Sequence, residues 1–266
     1  MVFVFDLDGT LLKDDYTISK NTIELIKELE THNQTIVFAS GRMLVSIRKI
    51  VKKFFSKDFP IIAYNGAMVF VPNEGIIFEK TLDYENTKKT IEFLRTKNVH
   101  RQAYVNDELF TEEDNEKIKF YSKHSDVNYK VVNDLIELIK SKEPTKLLAI
   151  DSPERLDIIL EELNNLDIKA EIFKSMNIFL DIVPKDINKA IALNNLLKYL
   201  NLENEKIIVF GDNHNDIPLF KMADFSVAVE NAVDELKNVA DFVSKTNNED
   251  GVYYAIAKNF PEYLRK

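Results

Sequence analysis

MVFVFDLDGTLLKDD, residues 1–15, runs a short apolar segment straight into two aspartates one residue apart. Val2–Phe5 is β-branched and aromatic throughout, the pattern of a strand covered on both faces. Carboxylates at the end of a buried strand repel each other and are costly to desolvate, and a bound cation would offset that cost. In an extended segment Asp6 and Asp8 would share a face about 6–7 Å apart. That spacing suits two carboxylates on either side of one phosphoryl group. It suits a shared metal less well, unless one residue offers its backbone carbonyl. Gly9 then lets the backbone turn sharply.

Outward from this stretch the same rhythm repeats. Ser19 is placed to cap a helix with Ile23, Ile26 and Leu29 at helical spacing. Thr35–Ala39 reads as a second buried strand, meets Ser40-Gly41-Arg42, and leads into a helix with Leu44, Ile47, Ile50 and Val51 on one side. Ile61–Ala63 is a third strand, ending at Tyr64-Asn65-Gly66, and residues 68–79 form a hairpin around Pro72–Gly75. The pattern predicts a Rossmann-like, doubly wound, mostly parallel sheet. Between about residues 83 and 184 the mix changes to paired strands beside helices, an α+β module. The first rhythm then returns with a helix near 189–200 and a strand at Lys206–Phe210 that ends in Gly211-Asp212. The expected organisation is a discontinuous α/β core, residues 1–82 and 185–266, interrupted by an inserted α+β cap over 83–184.

The totals narrow the function. A net charge of -9 over 266 residues argues against nucleic acid as a partner. The absence of cysteine rules out disulfides, thiolate metal sites and thiol nucleophiles. No apolar run approaches the roughly 20 residues that span a bilayer, and Asp6 breaks the N-terminal apolar stretch too early for a signal peptide. These features predict a cytoplasmic protein without a membrane partner.

Ligands of open α/β sheets sit at the carboxyl ends of the strands, where this chain places Asp6 and Asp8, Ser40, Asn65, and Asp212 with Asp216. Asp212 and Asp216, about one helical turn apart, can face one site, and an oxygen-only donor set points to Mg²⁺. Both would also serve as caps of a helix N-terminus, and His214 between them is expected to be exposed. Ser40 is expected to start the helix after the second strand, where free N–H groups suit phosphate. Lys189, in the first turn of its helix, is unfavourably placed for the helix dipole unless an anion lies nearby.

These residues fall into four motifs. DLDGT at 6–10, FASGR at 38–42, PKDINKAIAL at 184–193 and GDNHND at 211–216 resemble, in order, the motifs of the haloacid dehalogenase-like phosphohydrolases, and the chain is similar over essentially its whole length to their Cof-type, sugar-phosphatase-like branch. Many members have glycine directly after the lysine, where this chain has Ala190. The resemblance implies an Mg²⁺-dependent phosphomonoester hydrolase acting on a small phosphorylated metabolite such as a sugar phosphate. It implies Asp6 as nucleophile and Asp8 as general acid/base. Mg²⁺ would lie on the Asp6 carboxylate, the Asp8 backbone carbonyl and Asp212, with Asp216 in support. Ser40, Gly41, Lys189 and Asn215 would bind the phosphoryl oxygens, and Asn65, Arg42 and Asp181 are candidate substrate contacts. His100, Arg101 and Tyr104 are further cap positions that could meet substrate. A phosphomutase, which shares the first motif and a comparable cap, is the alternative.

Overall fold

The computed structural model describes residues 1–264. The chain folds into two compact units, Met1–Ile77 with the chain from Asn188 on, and Phe78–Ile187. The first segment of the chain holds β1 (Val2–Phe5), α1 (Lys20–Thr31), β2 (Thr35–Ala39), α2 (Leu44–Phe55), β3 (Ile61–Ala63), β4 (Met68–Val71) and β5 (Gly75–Glu79). Then come α3 (Tyr84–Thr96), β6 (His100–Val105), β7 (Glu108–Thr111), α4 (Glu116–Ser125), β8 (Tyr129–Val131), α5 (Leu135–Ser141), β9 (Lys146–Ile150), α6 (Pro153–Asn164), β10 (Ala170–Met176) and β11 (Phe179–Pro184). The return segment holds α7 (Lys189–Leu200), β12 (Ile207–Gly211), α8 (Ile217–Met222), β13 (Phe225–Ala228), α9 (Asp234–Lys237), β14 (Phe242–Val243) and α10 (Gly251–Asn259). The protein is an α/β protein, as the strand–helix alternation predicts.

The main sheet has the order β14-β13-β12-β1-β2-β3-β4-β5. Its pairs from β14 through β3 are parallel, and β4 joins β3 antiparallel. β1 sits centrally with all four residues buried, which explains its unbroken apolar sequence. Phe5 stands in register with Phe210 on one side and Phe38 on the other, and the three rings pack at centroid distances of 4.9 and 6.2 Å. This aromatic row lies one residue before Asp6 on β1.

The second sheet, β10-β11-β9-β6-β7-β8, is antiparallel apart from the β7–β8 pair. One face buries Ala103, Leu147, Ala149, Leu180 and Ile182 with Ile91 and Leu94 of α3 and Leu156 and Ile159 of α6. The other face carries His100, Gln102 and Tyr104, alternate residues of β6, all buried. Helix α5 is not among the elements expected from the sequence. Its seven residues are too few to show a clear period, and its signal is the cap: Asp134 accepts from the Ile136 N–H at 2.8 Å. Among the described residues no helix is long and apolar enough to cross a membrane.

Candidate active site

β1 delivers Asp6 to the end of the sheet. Its N–H still donates to the Phe210 carbonyl at 3.0 Å, but the strand stops there. Leu11 N–H bonds back to the Asp6 carbonyl and Thr10 and Leu12 N–H to that of Leu7. Asp6 and Asp8 therefore do not share the face of an extended segment, as the spacing alone suggests: the chain turns between them. Gly9, at φ 74°, sits so close to Asp212 that a Cβ there would lie 2.5 Å from Oδ2. Glycine is needed both for the left-handed backbone and for that approach.

The turn separates the two carboxylates into different surroundings. Asp6 is buried, and its Oδ1 accepts from Lys189 Nζ at 2.6 Å. Asp8 is about half exposed, and both its oxygens are taken by one guanidinium: Arg42 Nε donates to Oδ2 at 2.7 Å and Nη2 to Oδ1 at 2.6 Å. Arg42, a candidate substrate contact by sequence, is thus the partner of Asp8 in this structure.

Lys189 is fully buried at the start of α7, where the Asn188 side chain caps by accepting from the N–H groups of Ala190 and Ile191. Its ammonium bridges Asp6 Oδ1 and Asp216 Oδ1 at 2.6 and 2.7 Å. Asp216 is also fully buried, and its Oδ2 accepts from the N–H groups of Asp212 and Asn213 at 3.1 and 3.2 Å. Asp212 lies beside them, with Thr10 Oγ1 donating to its Oδ1 at 3.0 Å. Gly211 permits the arrangement, since a Cβ there would meet Asp216 Oδ2 at 2.7 Å.

Three carboxylates thus face one ammonium. Burial raises the Asp6 carboxyl well above its ordinary value; Lys189 opposes that rise, while the Asp216 and Asp212 charges add to it. Asp212 is pushed up to about 6, by burial first and Asp216 next, against the Thr10 hydrogen bond. For Lys189, burial alone would lower the ammonium, but the two carboxylates beside it win and raise it. One oxygen from each of Asp6, Asp212 and Asp216 falls within 4.8 Å of the others. Surplus negative charge, all-oxygen donors and close spacing fit a hard divalent cation. Asp216 already spends both oxygens on Lys189 and backbone N–H groups, which leaves Asp6 and Asp212 better placed to touch a metal directly.

The second and third strand ends complete the surroundings. Ser40 is buried at the end of β2, but it does not start α2, whose N-cap is Met43. The Ser40 hydroxyl instead accepts from Arg42 N–H at 3.2 Å, a local turn that holds the loop before the helix. After β3, Tyr64 and Asn65 take φ 51° and 56°, and the Asn65 carbonyl oxygen Oδ1 accepts from Asn215 Nδ2 at 2.9 Å. A Cβ on Gly41 would lie 3.0 Å from that same Oδ1. His214 is exposed, with Glu235 3.6 Å away.

The candidate residues of the inserted unit lie in its own interior or its own ion pairs. Asp181 is buried with Lys146 Nζ 2.6 Å from Oδ1. Tyr104 accepts at its hydroxyl from Gln102 Nε2 at 2.7 Å, and Arg101 pairs with Glu112, which Arg95 also holds. Burial brings the His100 imidazole down to about 4, so it is neutral near pH 7. Sequence reasoning misses Thr10 as the donor to Asp212 and Asn188 as the cap beneath Lys189; the former has a signal in its place within the first motif, the latter in the Asn directly before a helix.

The chain matches the family model described as haloacid dehalogenase-like hydrolase over residues 3–256. It is similar to the solved structure of the Thermotoga maritima protein TM0651, with 46% identity, a TM-score of 0.91, and coverage of 97% of this chain and 96% of that one. A haloacid dehalogenase-like hydrolase from Bacteroides thetaiotaomicron is 29% identical with a TM-score of 0.89, over 97% of this chain and 99% of its own. Among curated proteins it resembles the 5-amino-6-(5-phospho-D-ribitylamino)uracil phosphatase YitU of Bacillus subtilis, 29% identical over 94% of each. With the first, third and fourth motifs meeting in one carboxylate–lysine cluster, the second joined to the first through Arg42 and Asp8, and similarity along the whole length, the chain belongs to the haloacid dehalogenase-like hydrolase family and stands among its phosphatases.

Proposed function

We propose that the protein is an Mg²⁺-dependent phosphomonoester hydrolase that works through an aspartyl-phosphate on Asp6. The observation that carries the reading is the buried Asp6–Lys189–Asp216 bridge with Asp212 beside it. Asp6 lies at a strand end with an ammonium next to the oxygen that would attack phosphorus. The Asp6 and Asp212 carboxylates, with the Asp8 carbonyl, would hold Mg²⁺, which when bound supplies positive charge for the phosphoryl oxygens. Lys189 adds a second positive charge, and the N–H groups and side chains of Ser40, Gly41 and Asn215 would orient the phosphoryl group. As the Asp6 Oδ–P bond forms and the ester P–O bond breaks, a proton on Asp8 passes to the leaving alkoxide. When water then attacks the phosphoaspartate, its proton goes to Asp8 and inorganic phosphate departs.

The two aspartates sit in contrasting surroundings, and the ammonium of Lys189 beside Asp6 favours the ionised form that attack on phosphorus requires. A small phosphorylated metabolite is the proposed substrate. The ribityl phosphate in the name of the Bacillus subtilis relative supports a sugar- or polyol-phosphate ester. Phosphate release from p-nitrophenyl phosphate and from a panel of phosphorylated metabolites tests the reading. Activity should vanish on verified metal removal, return with Mg²⁺, and be abolished without phosphoenzyme in Asp6→Asn. Full activity in metal-free protein, or wild-type rates in Asp6→Asn, would refute it. An isomeric monophosphate in place of free phosphate from a sugar bisphosphate would show a mutase.

A further inference from the structure

The Asp8–Arg42 pair stands apart from the rest of the cluster. Asp6, Lys189 and Asp216 are buried and mutually fixed, whereas the Asp8 side chain is 45% exposed and would turn freely on its own. Two parallel hydrogen bonds to a planar guanidinium fix both the direction and the plane of a carboxylate. Arg42 is itself held along its length. Its N–H donates to Ser40 Oγ, its carbonyl accepts from Tyr64 N–H at 3.0 Å, and its Nη1 lies 3.4 Å from Ser46 Oγ. The Tyr16 ring lies against its guanidinium, 5.5 Å from centroid to Cζ. An anchored arginine that presents its fork to a half-exposed aspartate has the construction of a positioning device.

We propose that Arg42 is a positioning residue: it fixes the direction and plane of the Asp8 side chain, and when one Asp8 oxygen takes up a proton the hydrogen bond to the other still holds the group where that proton reaches the leaving oxygen. The inference rests on the reading of Asp8 as the acid–base group. Orientation of a reacting group by its neighbour is worth up to about 10²-fold for a displacement near 1 Å. The benefit should be confined to esters whose leaving group needs a proton. A nitrophenolate departs unaided, so its rate should depend little on where Asp8 points. Phenolate needs help, so phenyl phosphate should depend on it strongly. Lysine cannot replace the arginine, because a single ammonium does not make the fork.

The experiment measures kcat/KM for p-nitrophenyl phosphate and phenyl phosphate with Mg²⁺, in the full chain and in Arg42→Lys, Arg42→Ala and Asp8→Asn, alongside inhibition by inorganic phosphate. kcat/KM reports the steps through the first irreversible transfer, the phosphorylation of Asp6. Arg42→Lys should lose about 10²-fold on phenyl phosphate, much less on p-nitrophenyl phosphate, and keep the wild-type inhibition constant for phosphate. Arg42→Ala should show the same bias. If it does not fold, as judged by circular dichroism, Arg42→Lys alone decides. Equal losses on both esters would overturn the proposal and, with weaker inhibition by phosphate, would make Arg42 a phosphate ligand instead. Wild-type values in Arg42→Lys would overturn it too. Asp8→Asn separates the two levels. No leaving-group bias there means that Asp8 is not the acid, and the proposed function fails. Bias in Asp8→Asn without bias in Arg42→Lys defeats only the positioning role.

Discussion

At the residue scale the cluster around Lys189 is a problem of charge. One ammonium cannot neutralise Asp6, Asp212 and Asp216, and burial makes the surplus expensive. The consequence for Asp212 can be measured. Its carboxyl is raised from 3.8 to about 6, so it binds protons more tightly folded than unfolded. Its contribution to stability is full below its unfolded value and is lost as pH rises through about 6. Metal-free protein at pH 7.5 should therefore gain stability from Asp212→Asn, on the order of 2–3 kcal/mol, with the advantage shrinking as pH falls from about 6 and nearly gone by about pH 4. Mg²⁺ should reverse the order, because wild type binds the cation through a charged carboxylate where the variant offers only a neutral amide oxygen. Thermal melts of both proteins at the two pH values, with and without Mg²⁺, check this. A variant no more stable than wild type in metal-free buffer would show that Asp212 carries no buried excess charge. The types and spacing of these carboxylates were legible in the sequence. Their sharing of one lysine was not, because Lys189 is 183 residues from Asp6 and only the packing of α7 joins them.

At the scale of elements, the site depends on how closely loops approach helix starts. Gly66 has φ 109°, and a Cβ there would collide with the Asn188 carbonyl oxygen at the start of α7. Gly66→Ala should cost at least about 1–3 kcal/mol from backbone strain alone, and should also displace the helix start that carries Lys189. Loss of both activity and denaturation midpoint is the expected result. Gly75 is the control: its φ is 85°, but no atom lies within 4 Å of the added Cβ. Gly75→Ala should pay only the strain and keep its activity, and an equal loss of activity in the two variants would detach the Gly66 approach from function. Helix caps were partly readable, as Ser19 shows by accepting from Thr22 N–H. Ser40 departs from its expected role for a physical reason. A serine between strand and helix can cap or make a local turn, and the Arg42 N–H claims its hydroxyl before the helix begins at Leu44.

At the scale of the whole molecule, every carboxylate of the cluster and Lys189 lie in the unit formed by Met1–Ile77 and the chain from Asn188 on. Replacing residues 83–184 by a short linker should therefore spare Mg²⁺ binding, once circular dichroism shows that the remainder folds. If the inserted unit reads the substrate, kcat/KM values for different sugar phosphates should converge in the shortened protein, and the preferred ester should lose more than p-nitrophenyl phosphate. An unchanged substrate profile would place specificity in the main unit. The interruption of the sheet was visible as a change in the mix of strands and helices, because alternation follows from local hydrophobic periods. So were the central strand β1, the order of the motifs and the candidate carboxylates, all of which depend on residues close together in the chain. Which strands neighbour one another, the close approach of Gly9 to Asp212, and the pairing of Asp8 with Arg42 were decided only by tertiary structure. Each of these joins residues distant in sequence, and such contacts are set by how the buried faces pack together rather than by any local preference.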